Sequence, residues 1–377
     1  MEIQDVEAIQ FTYDSHTTSD EKGHGHPADE PVEAVGTITR VVTDEGEGVC
    51  VGGHPETADA AAAHLIGEHP LERERLWTEL KRASRINSNA LADGRLAAVD
   101  CALWDFAGRY LDQPVYRLLG GGDERVPAYG STMVGDDDPD GLGTPGAYAD
   151  FAADLVDRGY PAIKLHTWMP PFSEDPERDL AAARAVREAV GPDVDLMVDA
   201  HHWYTRQEAR RLGEGLDELD YRWIEEPMDE HSMSSYEWLT DELDIAVIGP
   251  ETAEGGAQTR AEWIKRGIAD ISRVGVFDVG GITPAWKTVG LCESFGVQCE
   301  VHGGGPPNLH LVSAMPIDGE YYERGLLHPD YDYERPPDYL DSIPDPMDDD
   351  GRVAVPQEPG LGYDIDWEYV ESNRIDQ

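Results

Sequence analysis

The runs AIKLH (162–166), DLMVDAHH (195–202), YRWIEEP (221–227), AVIGPE (246–251), ISRVGVFD (271–278) and VQCEVHGGG (297–305) decide the architecture. Each is a short apolar stretch with a charged residue or a histidine at or near its C-terminal end. Between them lie segments of helical pattern, such as DLAAARAVREAV (179–190), RQEARRLGEGL (206–216) and PAWKTVGLCESF (284–295). An apolar run, a polar end and then a helix make a βα unit. Asp199 and Glu225 are 26 residues apart, and so are Glu225 and Glu251. One βα unit per carboxylate places all three at the same end of neighbouring parallel strands. In a (β/α)₈ barrel that end carries the chemistry. The expected class is therefore α/β, with a barrel over about 126–330.

Three convergent carboxylates repel one another unless a cation sits among them. Hard oxygen ligands at neighbouring strand ends suit Mg²⁺, which keeps positions open for substrate oxygens. Any one of these acids, taken alone, reads equally well as an ordinary helix cap after a strand. Three at matched strand ends, with Lys164 and His302 at other strand ends, point to a metal site formed by Asp199, Glu225 and Glu251.

Outward from the barrel, residues 2–13 and 32–53 read as strands of a meander, turning at Asp44-Glu45-Gly46. The segment SHTTSDEKGHGHPADEP (15–31) is polar and without periodicity, and is expected as a loop. Its His24 and His26 read as solvated, or as meeting substrate if the loop closes, rather than as metal ligands. From 57 to 119 the pattern is helical, and Leu96, Val99, Leu103, Phe106 and Tyr110 recur in steps of three and four. The chain thus divides into an N-terminal α+β domain (1–125), the barrel (126–330) and a Pro- and Asp-rich segment (331–377) returning to the first domain.

The 377 residues include 77 Asp+Glu against 29 Lys+Arg, a formal net charge of −48. Such a chain repels the phosphate backbone, so nucleic acid is excluded as a partner, and anionic membranes are disfavoured. The acids are spread evenly while the core pattern is intact, which reads as a halophilic surface. Nine Trp, sixteen Tyr and 40% hydrophobic residues argue against an acidic disordered protein. Cys50, Cys101, Cys292 and Cys299 form no CxxC pair, so buried thiols in a reducing compartment are expected. The N-terminus has no basic and apolar leader pattern, and no run of 18 apolar residues occurs; the expectation is a soluble, cytoplasmic protein.

Several of these stretches together resemble the enolase superfamily in its mandelate racemase-like branch. They are AAVDCALWDFAGRYLDQPVYRLLGG (97–121), AIKLH as a Lys-x-Lys or Lys-x-His strand end, VDAHH, WIEEP, IGPE, GGIT and EVHG. The resemblance spans roughly 2–330 and the GLGYDID tail. It implies a modified (β/α)₇β TIM barrel with an α+β capping domain, and a homo-oligomer. It also implies Mg²⁺ on Asp199, Glu225 and Glu251, with Glu226 in a supporting position.

The shared chemistry is removal of a proton α to a carboxylate, made accessible by a cation that stabilises the resulting enediolate. Candidate proton-transfer groups are Lys164, His166, His201 and His302. Beside a cation the Lys164 pKa should fall. His166 lies one alternation beyond Lys164 on the same face, and His201 shares the side of Asp199. The branch usually pairs the seventh-strand His with an Asp about 27 residues earlier. Here that position is Gly275, and Asp278 follows three residues later. The offset favours a His302 without an Asp partner, acting as an acid, over one oriented by Asp278. One base, Lys164 or His201, and one acid, His302 with His166 as the next candidate, suit dehydration of a hydroxylated sugar acid. A racemase, epimerase or lactone cycloisomerase is the alternative on the same scaffold, and a non-catalytic barrel is a third possibility.

Overall fold

The computed structural model describes residues 1–375 except 21–23, 139–140, 171, 201–203 and 317–320. The N-terminal part opens with an antiparallel sheet of β1 (Ile3–Ser19), β2 (Gly25–Thr43) and β3 (Gly46–Val51), in that order. This is the expected meander, but its first two strands run further than their apolar pattern. Thr17 pairs with Pro27, Thr18 with His26 and Ser19 with Gly25, across the segment expected as a loop. Backbone pairing in an exposed hairpin needs no apolar face, and the threonines favour extended structure.

Four helices follow: α1 (Pro55–Leu65), α2 (Arg73–Ala83), α3 (Asp93–Leu111) and α4 (Val115–Leu118). On α3, Leu96, Val99, Leu103 and Phe106 are buried, while Tyr110 near its end is exposed. β3 crosses α3 so closely that a Cβ at Gly48 would lie 2.1 Å from the Ala102 carbonyl oxygen, which only glycine permits.

The chain then alternates: β4 (Arg125–Thr132), α5 (Pro145–Asp157), β5 (Ala162–His166), α6 (Pro176–Val190), β6 (Asp195–Asp199), α7 (Arg206–Glu218), β7 (Trp223–Glu225), α8 (Met233–Glu242), β8 (Ala246–Ile248), α9 (Gly256–Arg266) and β9 (Ile271–Val274). A single turn, α10 (Val276–Val279), precedes α11 (Ile282–Phe295), β10 (Gln298–Val301), α12 (Pro306–Ala314) and β11 (Tyr322–Leu327). The local signals are sound. Thr144 and Asp175 cap α5 and α6 ahead of a proline, and Thr205 with Glu208 forms a capping box on α7. Each such cap is worth about 1 kcal/mol. The eight parallel strands lie in the order β11-β4-β5-β6-β7-β8-β9-β10, so the last strand returns beside the first. Seven strands are followed by helix and the eighth is not, which is the (β/α)₇β pattern.

Strand period two organises the rolled sheet's interior. Tyr129, Ala162, Met197, Trp223, Ile248 and Ile271, one from each strand from β4 to β9, form an apolar floor. Two residues further along the same faces stand Lys164, Asp199, Glu225 and Arg273. The site is thus a charged layer built on an apolar one.

The capping helices close against the barrel at α11. The Trp104 Nε1–H donates to Thr283 Oγ1 at 2.9 Å, the Thr283 N–H donates to Asp100 Oδ2 at 2.8 Å, and the Trp77 Nε1–H donates to the Gly280 carbonyl at 3.0 Å. The last segment carries β12 (Arg352–Ala354), antiparallel to β4, and α13 (Trp367–Ser372). Its Leu361 N–H donates to Asp105 Oδ1 of α3 at 2.7 Å, and its Ile375 N–H donates to the Gln10 carbonyl at 2.8 Å. All four cysteines are buried thiols. Among the described residues no helix is long and apolar enough to cross a membrane.

Candidate active site

Asp199 and Glu225 end neighbouring strands in register, and Glu251 follows the end of β8. All three are buried, and one oxygen from each lies within 4.8 Å of the others. Among the described residues this is the one His, Cys, Asp or Glu cluster with metal-ligand spacing. Burial first, then the charges of Glu226 and Glu225, push the Glu251 carboxyl well above the usual carboxylate range. Its Oε2 is buried and receives no hydrogen bond. An oxygen-only donor set with excess negative charge and an unsatisfied buried oxygen fits a hard divalent cation such as Mg²⁺.

Two buried cations stand beneath. Lys164 Nζ lies 2.9 Å from Glu225, 2.9 Å from Glu323 and 3.5 Å from Asp199. Arg273 contacts Glu225, lies 3.5 Å from Glu251, and donates to Glu323 Oε2 at 2.8 Å and to Tyr129 Oη at 3.1 Å. Without a cation, the surroundings of Lys164 act in two opposing directions. Burial acts to lower its pKa, but the Glu225 and Glu323 charges outweigh burial, and the direction is strongly upward. Glu323 moves the opposite way: burial opposes ionisation, yet Lys164 and Arg273 hold its carboxyl well below the usual range. The Gly303 N–H also donates to it at 2.8 Å.

Glu323 and Arg273 were not found by the sequence reading. Glu323 lies in YYERGLL (321–327), a strand with no apolar alternation. Arg273 sits inside ISRVGV, where a lone basic residue has no partner adjacent in sequence.

His166 ends β5. Its Nδ1 is 2.6 Å from the Thr132 carbonyl, which only accepts, so Nδ1 carries the proton. Nε2 faces the carboxylates, 3.2 Å from Asp199 Oδ2. The backbone of His166 is held by Thr132 Oγ1 at 3.1 Å and Tyr148 Oη at 2.5 Å.

His302 follows β10, with Nε2 3.1 Å from Glu251 Oε1. Its Nδ1 is 2.7 Å from Asp278 Oδ2, so the expectation of a His302 without an Asp partner is overturned. The short helix α10 carries the carboxylate back to the position the usual partner would occupy. A Cβ at Gly275 would lie 2.0 Å from Asp278 Oδ2, so glycine there leaves the room that Asp278 fills. Burial acts to lower the His302 pKa, but the Asp278 charge and hydrogen bond outweigh it and the direction is upward.

His201 and His202 lie outside the described residues. Glu226 accepts from Thr252 Oγ1 at 3.2 Å. His24 and His26 face Asp20 at 3.1 and 3.5 Å. The hairpin bearing them approaches β11, where a Cβ on Gly25 would lie 3.7 Å from Leu326.

A (β/α)₇β barrel with a carboxylate triad at its strand ends, flanked by two imidazoles and covered by an α+β cap, defines a metal-dependent acid–base enzyme. Residues 147–370 match the enolase C-terminal domain-like family, and residues 37–120 match the mandelate racemase/muconate lactonizing enzyme N-terminal domain. The chain belongs to the enolase superfamily, in that branch. It is 32% identical over 303 residues to an arabinonate dehydratase of Saccharolobus solfataricus, covering 78% of this chain and 75% of that protein. It is 29% identical over 346 residues to a D-galactarolactone cycloisomerase of Agrobacterium fabrum, covering 88% of each. A solved D-glucarate dehydratase from Agrobacterium tumefaciens, complexed with magnesium, superposes with a TM-score of 0.96 at 52% identity over the whole of both chains.

Proposed function

We propose that this protein is a Mg²⁺-dependent sugar-acid dehydratase, a hydro-lyase converting an aldonate or aldarate into a 2-keto-3-deoxy acid. The observation that carries the reading is a pair of imidazoles at the two ends of one carboxylate triad, wired differently. His166 touches Asp199 and has its Nδ1–H fixed on a carbonyl; His302 touches Glu251 and has its Nδ1 on Asp278. The names of the similar proteins support the reaction class.

Asp199, Glu225 and Glu251 would hold the metal. Bound there, Mg²⁺ supplies positive charge that lowers the cost of the negative charge developing on the substrate carboxylate. His166 Nε2 is the base that takes the C2 proton. His302 Nε2 gives a proton to the C3 hydroxyl, which leaves as water, and the resulting enol tautomerises to the keto acid. Lys164, buried among three carboxylates, serves in this reading to balance charge rather than to move the proton. Arg273 shares that role.

Incubation with a panel of aldonic and aldaric acids in D₂O, read by semicarbazide and NMR, tests the reading. We expect a 2-keto-3-deoxy product with deuterium at C3, and no turnover in excess chelator until Mg²⁺ is restored. Inversion at C2 without keto product would replace dehydration by the racemase or epimerase reading. A ring-opened or isomerised lactone would favour the cycloisomerase, which the 29% identical relative keeps in view.

Three further parts belong to the same proposal. The division into 1–125, 126–330 and 331–377 is supported by the return of the last segment to Gln10 and Asp105. The net charge of −48 supports a surface adapted to high salt. A cytoplasmic homo-oligomer is supported by the free cysteines and the family membership.

A further inference from the structure

Glu251 differs from the other two triad carboxylates in how its backbone is held. Asp199 and Glu225 sit inside a strand ladder, paired with each other. Glu251 lies three residues past the end of β8, where no strand pairing holds it. It also bears the repulsion of Glu226, Glu225 and Asp199. Something other than the sheet must hold it against that repulsion.

Two buried side chains grip this segment from opposite sides of its peptide bonds. Glu230, in the loop after β7 and 2% exposed, accepts the N–H of Glu251 at 2.5 Å, of Thr252 at 2.7 Å and of Ala253 at 2.9 Å, and the Thr252 hydroxyl at 3.1 Å. Arg260, on α9 and 0% exposed, donates to the carbonyls of Pro250 at 3.1 Å, Glu251 at 2.5 Å and Ala253 at 2.7 Å. Its Nε also reaches the Arg273 carbonyl of β9 at 3.4 Å. Carboxylate takes the donors and guanidinium takes the acceptors of one short segment. Both charges are fully buried, an expense that a surface loop without a task does not require.

We infer that Glu230 and Arg260 are positioning residues for the metal. They replace the missing strand ladder, so Glu251 is aimed at the cation site before the cation arrives. A preorganised ligand loses little freedom on binding, which raises affinity without any new contact to the ion. The geometry sets which groups matter. Glu230→Gln turns one acceptor into an NH₂ facing backbone N–H groups. Arg260→Lys keeps the charge but loses the fork that spans three carbonyls.

The inference rests on the metal reading of the triad, so the test separates the two. Metal-free wild type, Glu230→Gln and Arg260→Lys, each checked for folding by circular dichroism, are titrated with Mn²⁺ and free ion is read by EPR. Wild type binds one ion, and each folded variant binds roughly 10–100-fold more weakly. Wild-type affinity in either folded variant overturns the assignment. No Mn²⁺ binding by wild type overturns the metal reading, and this inference with it. Hydrogen exchange on the unmodified protein needs no variant. The amides of Glu251, Thr252 and Ala253 should be protected before Mg²⁺ is added. Exchange at the rate of exposed loops until Mg²⁺ arrives also overturns the assignment.

Discussion

At the scale of single residues, the site works by giving two identical side chains different surroundings. His166 has its Nδ1–H held by a neutral carbonyl and turns Nε2 to the triad. His302 shares its Nδ1 proton with a carboxylate, which favours the imidazolium. The partnership depends on Gly275 as much as on Asp278, because a methyl at 275 would occupy the carboxylate's place. We therefore expect Asp278→Asn to lower kcat by about 10²-fold or more, the scale of a lost general acid, with little change in KM. Gly275→Ala should give the same phenotype by displacing Asp278. Steady-state kinetics of both variants checks this, and a kcat within a few-fold of wild type for Asp278→Asn would remove Asp278 from the machinery.

At the scale of elements, the junction between α3 of the cap and α11 of the barrel carries a buried carboxyl. Asp100 accepts the Thr283 N–H near the start of α11, and a Cβ at Gly281 would lie 2.3 Å from its Oδ2. Burial pushes its pKa up from 3.8 to about 7, against the opposing Thr283 hydrogen bonds and Arg73. A carboxyl whose folded pKa is raised adds stability while it stays protonated. That contribution is complete below the ordinary pKa and is lost as pH rises through the folded one. The window is therefore from about 4 to about 7, and the linked energy is on the order of a few kcal/mol. Asp100→Asn cannot ionise, so its melting temperature should fall less than that of wild type between pH 5 and pH 8. Parallel slopes for the two proteins in thermal melts across that range would show that Asp100 titrates alike in both states.

At the scale of the whole molecule, the excess of acids lies outside the organised interior. In the active site Lys164 and Arg273 offset part of the carboxylate charge. Over the whole chain 77 acids against 29 bases leave self-repulsion that dissolved salt screens. At 0.01 M ionic strength the screening length is roughly 30 Å, and near 1 M it is about 3 Å. The melting temperature should therefore rise by many degrees between low and molar KCl. Calorimetry at both salt concentrations checks this, and an unchanged melting temperature would refute the high-salt reading of the surface.

Much of this was legible in the chain. Apolar runs ending in Asp199, Glu225 and His302 announce parallel strands, because strand period and helix period differ. The even spacing of the three acids brings them to one end of the sheet, because each βα unit advances the barrel by one strand. The tertiary structure decided what acts between residues far apart in sequence. Glu323 and Arg273 acquire meaning only when the sheet rolls and brings β11, β9 and β5 around one interior. Asp278 was in view, but its reach to His302 depends on a single helical turn and on empty space above Gly275, and neither has a signature in residue type. The pairing of Thr17–Ser19 with Gly25–Pro27 has no signature in the sequence because it runs between backbones, which polar side chains neither announce nor forbid. Local patterning encodes which elements form and which faces they bury. Electrostatic partnership depends on distances of a few ångströms between elements, and those distances exist only once the chain has folded.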